Sequence, residues 1–155
     1  PAEALRRANR MMLNDSREDL FVSVVYAVLE VETGRLVYAN AGHNHPLWLR
    51  PAAGELVELD ATGTILGMLP DVAVGQGEIE LAPGDLLLMY TDGVTEALDA
   101  EEREFGNGRL RAALSAAPRA SAQAAVDHVA AAVAAFSGET PASDDVTMLA
   151  LLRRG

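Results

Sequence analysis

The sequence predicts an α+β domain built on antiparallel sheet, and three observations carry that prediction. Apolar, strand-like runs recur through the middle of the chain and again at its end. Most of them are separated by turns too short to hold a helical crossover. One helical pattern opens the chain and two more stand together between residues 105 and 136. Helices segregated from a series of hairpin-linked strands define the α+β class rather than an alternating parallel sheet.

The elements follow in order. In "PAEALRRANRMML", Pro1 suits a first helical turn, and Leu5, Ala8 and Met12 recur at helical spacing, which predicts a helix to about Leu13. "NDSRED" breaks it. "LFVSVVYAVLEV" is valine-rich and almost unbroken in its apolarity, as expected of a strand covered on both faces. "ETGR" is a hairpin turn around Gly34, and "LVYANAG" returns as a second strand. After "GHNH", the short strands "PLWLR" and "ELVEL" flank a "PAAG" turn. Residues 61–71, "ATGTILGMLPD", form a loop in which Gly67 meets a backbone need and Leu66 and Leu69 read as core. "VAVGQGEIELAPGD" gives a strand with Ile79 and Leu81 inward, ended by the Pro83–Gly84 turn, and "LLLMYT" is the next core strand. "FGNGRLRAALSAA" and "SAQAAVDHVAAAVAAF" are helices. Ser121 is the N-cap of the second, and Ala125, Val129, Val133 and Phe136 are its apolar face. "VTMLALL" is the last of seven strands. Neither a repeat nor a linker interrupts the chain, so residues 1–155 read as one domain.

Composition narrows the function. A chain of 155 residues that is 50% hydrophobic can bury one real core. A formal charge of −11 argues against nucleic acid and anionic membrane as partners, since both are bound through lysine and arginine. With no cysteine there is neither a disulfide frame nor a thiolate site. The longest apolar stretch, Leu20 to Val31, is too short to span a bilayer, and the expectation is a cytoplasmic protein.

Two acidic turns stand out, "TDGVTE" and "SDDVT". Asp92 follows the strand "LLLMY"; Asp144 and Asp145 precede "VTMLALL". If these strands are antiparallel neighbours, the carboxylates meet at one rim of a sheet. Clustered carboxylates repel unless a cation lies between them, and oxygen-only ligands suit Mg²⁺ or Mn²⁺. Either motif alone reads as a backbone-capping turn; together they leave the metal and turn readings balanced.

"FVSVVYAVLEVETGRLVYANAGHNHPLWLR", "LAPGDLLLMYTDGVTEA" and "SDDVTMLAL" together resemble the metal-dependent serine/threonine phosphatases of the PPM, or type 2C, class, in its SpoIIE/RsbU-like branch. The resemblance implies a sandwich of two antiparallel β-sheets flanked by helices. It also implies two Mn²⁺ or Mg²⁺ ions whose bridging water attacks the phosphorus of a phosphoserine or phosphothreonine. The implied partner is a phosphorylated regulatory protein such as an anti-sigma-factor antagonist. Carried over by motif, Asp92 and Asp144 are metal ligands acting through metal-bound water; Gly93 shapes the first turn and Asp145 orients the second. Glu96 reads instead as a residue at a helix N-terminus. Family members also carry an earlier Gly-Asp-x-x-Asp motif whose first aspartate bridges both metals. This sequence has none, since Gly84–Asp85 falls in a turn before a strand. The chain therefore resembles the C-terminal two-thirds of the domain, with the N-terminal strands missing, and the expectations are little or no activity alone and a homodimer that covers open sheet edges.

The histidines point elsewhere. "HNH" lacks the following helix of a nuclease motif, because "PLWLR" reads as a strand, and His128 lies mid-helix on a solvated face. His43 stands where other type 2C phosphatases carry an acidic third-metal residue, so that role is not carried over. Proton donation or substrate contact by His43 or Asn44 is set against simple stabilisation of the turn. Trp48 reads as packing. The rival functions are a degenerate domain that only docks a partner, and a structural fragment.

Overall fold

The computed structural model describes residues 1–14, 20–142 and 144–154. The element order is α1 (Ala2–Asn14), β1 (Val24–Leu29), β2 (Arg35–Ala41), β3 (Leu47–Arg50), β4 (Glu55–Glu58), β5 (Gly77–Glu80), β6 (Leu86–Tyr90), α2 (Asp92–Thr95), α3 (Gly106–Ala116), α4 (Ala122–Ser137) and β7 (Met148–Leu152). All strand pairs are antiparallel, in one three-stranded and one four-stranded sheet, as the α+β prediction requires. The predicted break at 15–19 lies outside the described residues. The chain divides into two compact units, Pro1–His45 with Asp60–Leu81, and Pro46–Leu59 with Ala82–Gly155.

The first unit holds the sheet β1-β2-β5. Ala2 and Leu5 of α1, with Ala8 and Met12, pack on Ala39, Ala41, Leu66, Val72 and Val74. Asn9 lies on the same buried stripe and is wholly buried. A buried amide must find partners. Its Nδ2 donates to the Leu69 carbonyl at 2.8 Å and its Oδ1 accepts from Gly67 N–H at 2.8 Å, which ties the loop to the helix. Gly67 has φ +90, and an added Cβ would lie 2.2 Å from the Leu20 carbonyl oxygen, so the backbone need is real.

Two expectations fail in this unit. Leu69 is not core: its side chain is 55% exposed and only its carbonyl is used. The long apolar run is a strand only over Val24–Leu29, and it is not covered on both faces. Strand β1 is the edge of its sheet, and the cover from α1 reaches Val24 but stops short of Tyr26 and Val28, which are 43% and 49% exposed.

The second unit holds β4-β3-β6-β7 with α3 and α4. Leu86, Leu88 and Tyr90 alternate along β6 and join Leu47, Leu49, Leu110, Leu114 and Val129 in one core, the side-chain period of a strand meeting the stripes of two helices. Ser121 Oγ accepts from Ala124 N–H at 3.0 Å, so the predicted cap opens α4. Ala125, Val129 and Val133 are buried, and the Phe136 ring meets Phe105 edge-on at 5.5 Å. Trp48 is half-buried and donates from Nε1 to Asp85 Oδ2 at 2.9 Å. The same oxygen accepts from Ala82 N–H at 3.0 Å, so Asp85 serves its own turn.

Candidate metal centre

Strands β6 and β7 pair antiparallel with Tyr90 opposite Met148, so the turn leaving β6 and the turn entering β7 run side by side. The ladder continues one step past the strands, because Thr91 N–H donates to the Thr147 carbonyl at 3.0 Å. The Thr91 side chain then takes over. Its hydroxyl accepts from Thr147 N–H at 2.9 Å and donates to the Asp145 carbonyl at 2.8 Å. Gly93 lies directly against the second turn. A Cβ there would sit 2.6 Å from the Asp145 carbonyl oxygen, closer than any side chain allows, and 3.3 Å from the Asp144 carbonyl carbon, a tight contact. The aspartate–glycine pair therefore lets one backbone rest on another. A turn that merely reversed direction would not need it.

Asp92 is the first residue of the short helix α2, and Asp144 opens the facing turn. Both side chains are exposed. One oxygen of each is held by its own turn: Asp92 Oδ1 accepts from Gly93 N–H at 3.1 Å, and Asp144 Oδ1 accepts from Asp145 N–H at 2.7 Å. This pre-orients two hard, anionic donors in adjacent turns, a chemistry that fits Mg²⁺ or Mn²⁺. Among the described residues no group of three or more His, Cys, Asp or Glu side chains gathers as ligands. Asp145 acts on the turn through its main chain.

Glu96 does not open a helix. It is the C-cap of α2, its N–H donating to the Asp92 carbonyl at 2.8 Å. The helix starts at Asp92 itself, which moves Glu96 to the end where a carboxylate gains nothing from the dipole.

His43 and Asn44 belong to the first unit, and the turn there is closed by Asn40. The wholly buried Asn40 accepts at Oδ1 from His43 N–H at 2.8 Å and donates from Nδ2 to the His43 carbonyl at 3.0 Å. The His43 side chain is thus spared turn duty and places Nδ1 3.0 Å from Ser23 Oγ. Asn44 and His128 are half-buried. Sequence reasoning passed over Asn9, Asn40 and Thr91. For the two asparagines a signal existed, a polar residue on an otherwise apolar stripe or strand; for Thr91 none did, since a threonine before Asp-Gly reads as an ordinary helix cap.

Comparison with known proteins agrees with this architecture. The profile of the family described as Stage II sporulation protein E (SpoIIE) matches residues 1–154. The chain is 31% identical over 134 residues to Protein IcfG of Synechocystis sp., covering 86% of this chain and 21% of that protein. It is 28% identical over 96 residues to the phosphoserine phosphatase RsbU of Bacillus subtilis, covering 62% of this chain and 29% of that protein. Among solved structures, the SiaA-PP2C domain of Pseudomonas aeruginosa matches with a TM-score of 0.83 at 21% identity, covering 98% of this chain and 60% of that one. The fold is that of a type 2C phosphatase domain. The chain belongs to the SpoIIE family. It spans less than a third of either curated relative.

Proposed function

We propose that this chain is the greater part of a protein phosphatase domain that removes phosphate from phosphoserine or phosphothreonine on a regulatory protein, with Asp92 and Asp144 holding Mn²⁺ or Mg²⁺. The observation that supports it is the seating of the Asp144–Asp145 backbone on Gly93, which brings the two acidic turns into contact. When bound, such a cation polarises phosphoryl oxygens and lowers the pKa of water. The chain's own part is to bind it through Asp92 and Asp144 and to fix the turns through Gly93 and the Asp145 main chain. For His43 and Asn44 the proposed role is proton donation or substrate contact; His43 Nδ1 lies 3.0 Å from Ser23 Oγ. Among the described residues no helix is long and apolar enough to cross a membrane. The edge strand β1, which pairs only with β2 among the named strands of the described residues and leaves Tyr26 and Val28 exposed, is the surface through which two copies would pair.

That no group of three or more metal-ligating side chains gathers among the described residues favours a second reading, a domain that docks its phosphoprotein without cleaving it. Phosphate release separates the two. A polypeptide joining residues 1–155 to an upstream segment with Gly-Asp-x-x-Asp is expected to hydrolyse a phosphoserine protein with Mn²⁺ and to lose that activity in Asp144→Asn, whereas residues 1–155 alone turn over little or nothing. Activity that survives both Asp92→Asn and Asp144→Asn overturns the proposal; a joined polypeptide that binds the phosphoprotein and releases no phosphate establishes the docking reading.

A further inference from the structure

Thr91 occupies the N-cap position of α2, with extended backbone at φ −86 and ψ 159. A threonine there ordinarily turns its hydroxyl onto the second or third amide of its own helix. This one makes no such bond. Its hydroxyl reaches instead across the sheet rim to residues 54 and 56 positions away in sequence, accepting from Thr147 N–H and donating to the Asp145 carbonyl. The reason is topological. After Thr91 the main chain leaves the sheet to enter α2, so β6 has no further backbone groups to offer β7. The hydroxyl supplies both a donor and an acceptor in their place and carries the pairing through to the acidic turn. A hydroxyl serves both neighbours from one oxygen atom.

We propose that Thr91 is a positioning residue for the metal centre, its hydroxyl being the brace that holds Asp144 in register with Asp92. The inference rests on the metal reading given above. It goes beyond that reading in assigning a role to a residue that touches neither cation nor substrate. Gly93 permits the two turns to touch, and Thr91 fixes where they touch. Without the hydroxyl, the hydrogen bond that still ties the end of β6 to this turn among the described residues is the main-chain one from Thr91 N–H to the Thr147 carbonyl, short of the acidic pair. Groups that orient metal ligands from behind change metal affinity by about 10- to 100-fold when removed.

The test compares Thr91→Val, which keeps the shape and loses the hydroxyl, with Thr91→Ser, which keeps the hydroxyl; Thr91→Ala repeats the comparison if valine does not fold. Two readouts are taken on the whole chain: hydrogen exchange at the Thr147 amide without metal, and Mn²⁺ affinity from the electron paramagnetic resonance signal of the free ion. The expected result is faster exchange at Thr147 and Mn²⁺ affinity weaker by about tenfold or more in Thr91→Val, both restored to wild-type values in Thr91→Ser. Unchanged exchange in Thr91→Val overturns the brace. So does faster exchange with unaltered Mn²⁺ affinity, provided that Asp92→Asn abolishes binding. If Asp92→Asn leaves Mn²⁺ binding intact, it is the metal reading that fails, and the exchange data still decide whether Thr91 holds the turn.

Discussion

Replacing Gly93 by alanine sets two effects of opposite sign against each other. Alanine is the better helix former, and in a helix interior the exchange gains up to about 1 kcal/mol. Against this, the new Cβ would stand 2.6 Å from the Asp145 carbonyl oxygen, with the Asp145 carbonyl carbon at 3.0 Å. Ordinary contact begins at 3.4 Å, so the facing turn must retreat by about 0.8 Å, and the obstacle is backbone that cannot rotate away. Overpacking of this kind costs about 1–3 kcal/mol. The steric effect wins, because α2 is only four residues long and offers little propensity to recover. The net expectation is a loss of about 1–2 kcal/mol, or a fall in Tm of about 3–6 °C for a chain of this size. Gly108 is the control. It is an exposed glycine within α3, and its added Cβ would meet nothing within 4 Å, so Gly108→Ala is expected to gain about 0.5–1 kcal/mol. Thermal unfolding of the two variants side by side decides the matter. A Gly93→Ala protein as stable as Gly108→Ala would show that the two acidic turns do not press on each other.

Further outcomes follow from other contacts. Asn9→Ala strands Gly67 N–H and the Leu69 carbonyl, and is expected to lose about 2 kcal/mol in denaturant titration, with faster hydrogen exchange at Gly67. Ser121→Ala removes the cap of α4 and is expected to lose about 1 kcal/mol, measured the same way. Asp99 is held below the ordinary carboxylate range chiefly by its hydrogen bond from Arg103. A lowered folded pKa means stabilisation that is present above the ordinary carboxylate pKa and lost as pH falls through the folded one, so Asp99→Asn should narrow its stability gap to wild type on acidification. A gap that widens would reverse that sign. Sedimentation equilibrium at micromolar concentration is expected to show a dimer that Val28→Glu dissociates, since Val28 is half exposed on the edge strand; a wild-type monomer would refute the pairing of β1 edges.

The order of strands and helices was legible because it rests on periodicity and turn chemistry, which are local. Ser121 and the Ala125–Val129–Val133 stripe are examples: a capping hydroxyl and a helical repeat act within a few residues of themselves. The antiparallel placing of Asp92 beside Asp144 was legible only as a condition on which strands are neighbours, and the register of β6 with β7 met it. Exposure was harder to read. The run around Tyr26 and Val28 is apolar enough for an interior strand, yet how much of it is covered depends on how far α1 reaches, a tertiary fact. Leu69 failed for the same reason: the loop is fastened through its carbonyl to Asn9, which frees the side chain to face water. Glu96 failed over a boundary, because a four-residue helix leaves no periodicity to detect. The reach of Thr91 across to residues 145 and 147 has no trace in its neighbours' identities.

Whether Asp92 and Asp144 form one cation site is tested most directly by adding Mn²⁺ to the isotopically labelled chain and mapping paramagnetic broadening of backbone amides. The two turns are expected to broaden together, residues 92–95 with 144–147, and both to recover in Asp92→Asn as well as in Asp144→Asn. Broadening confined to one turn, or spread evenly over the acidic surface and indifferent to either substitution, would contradict a shared site.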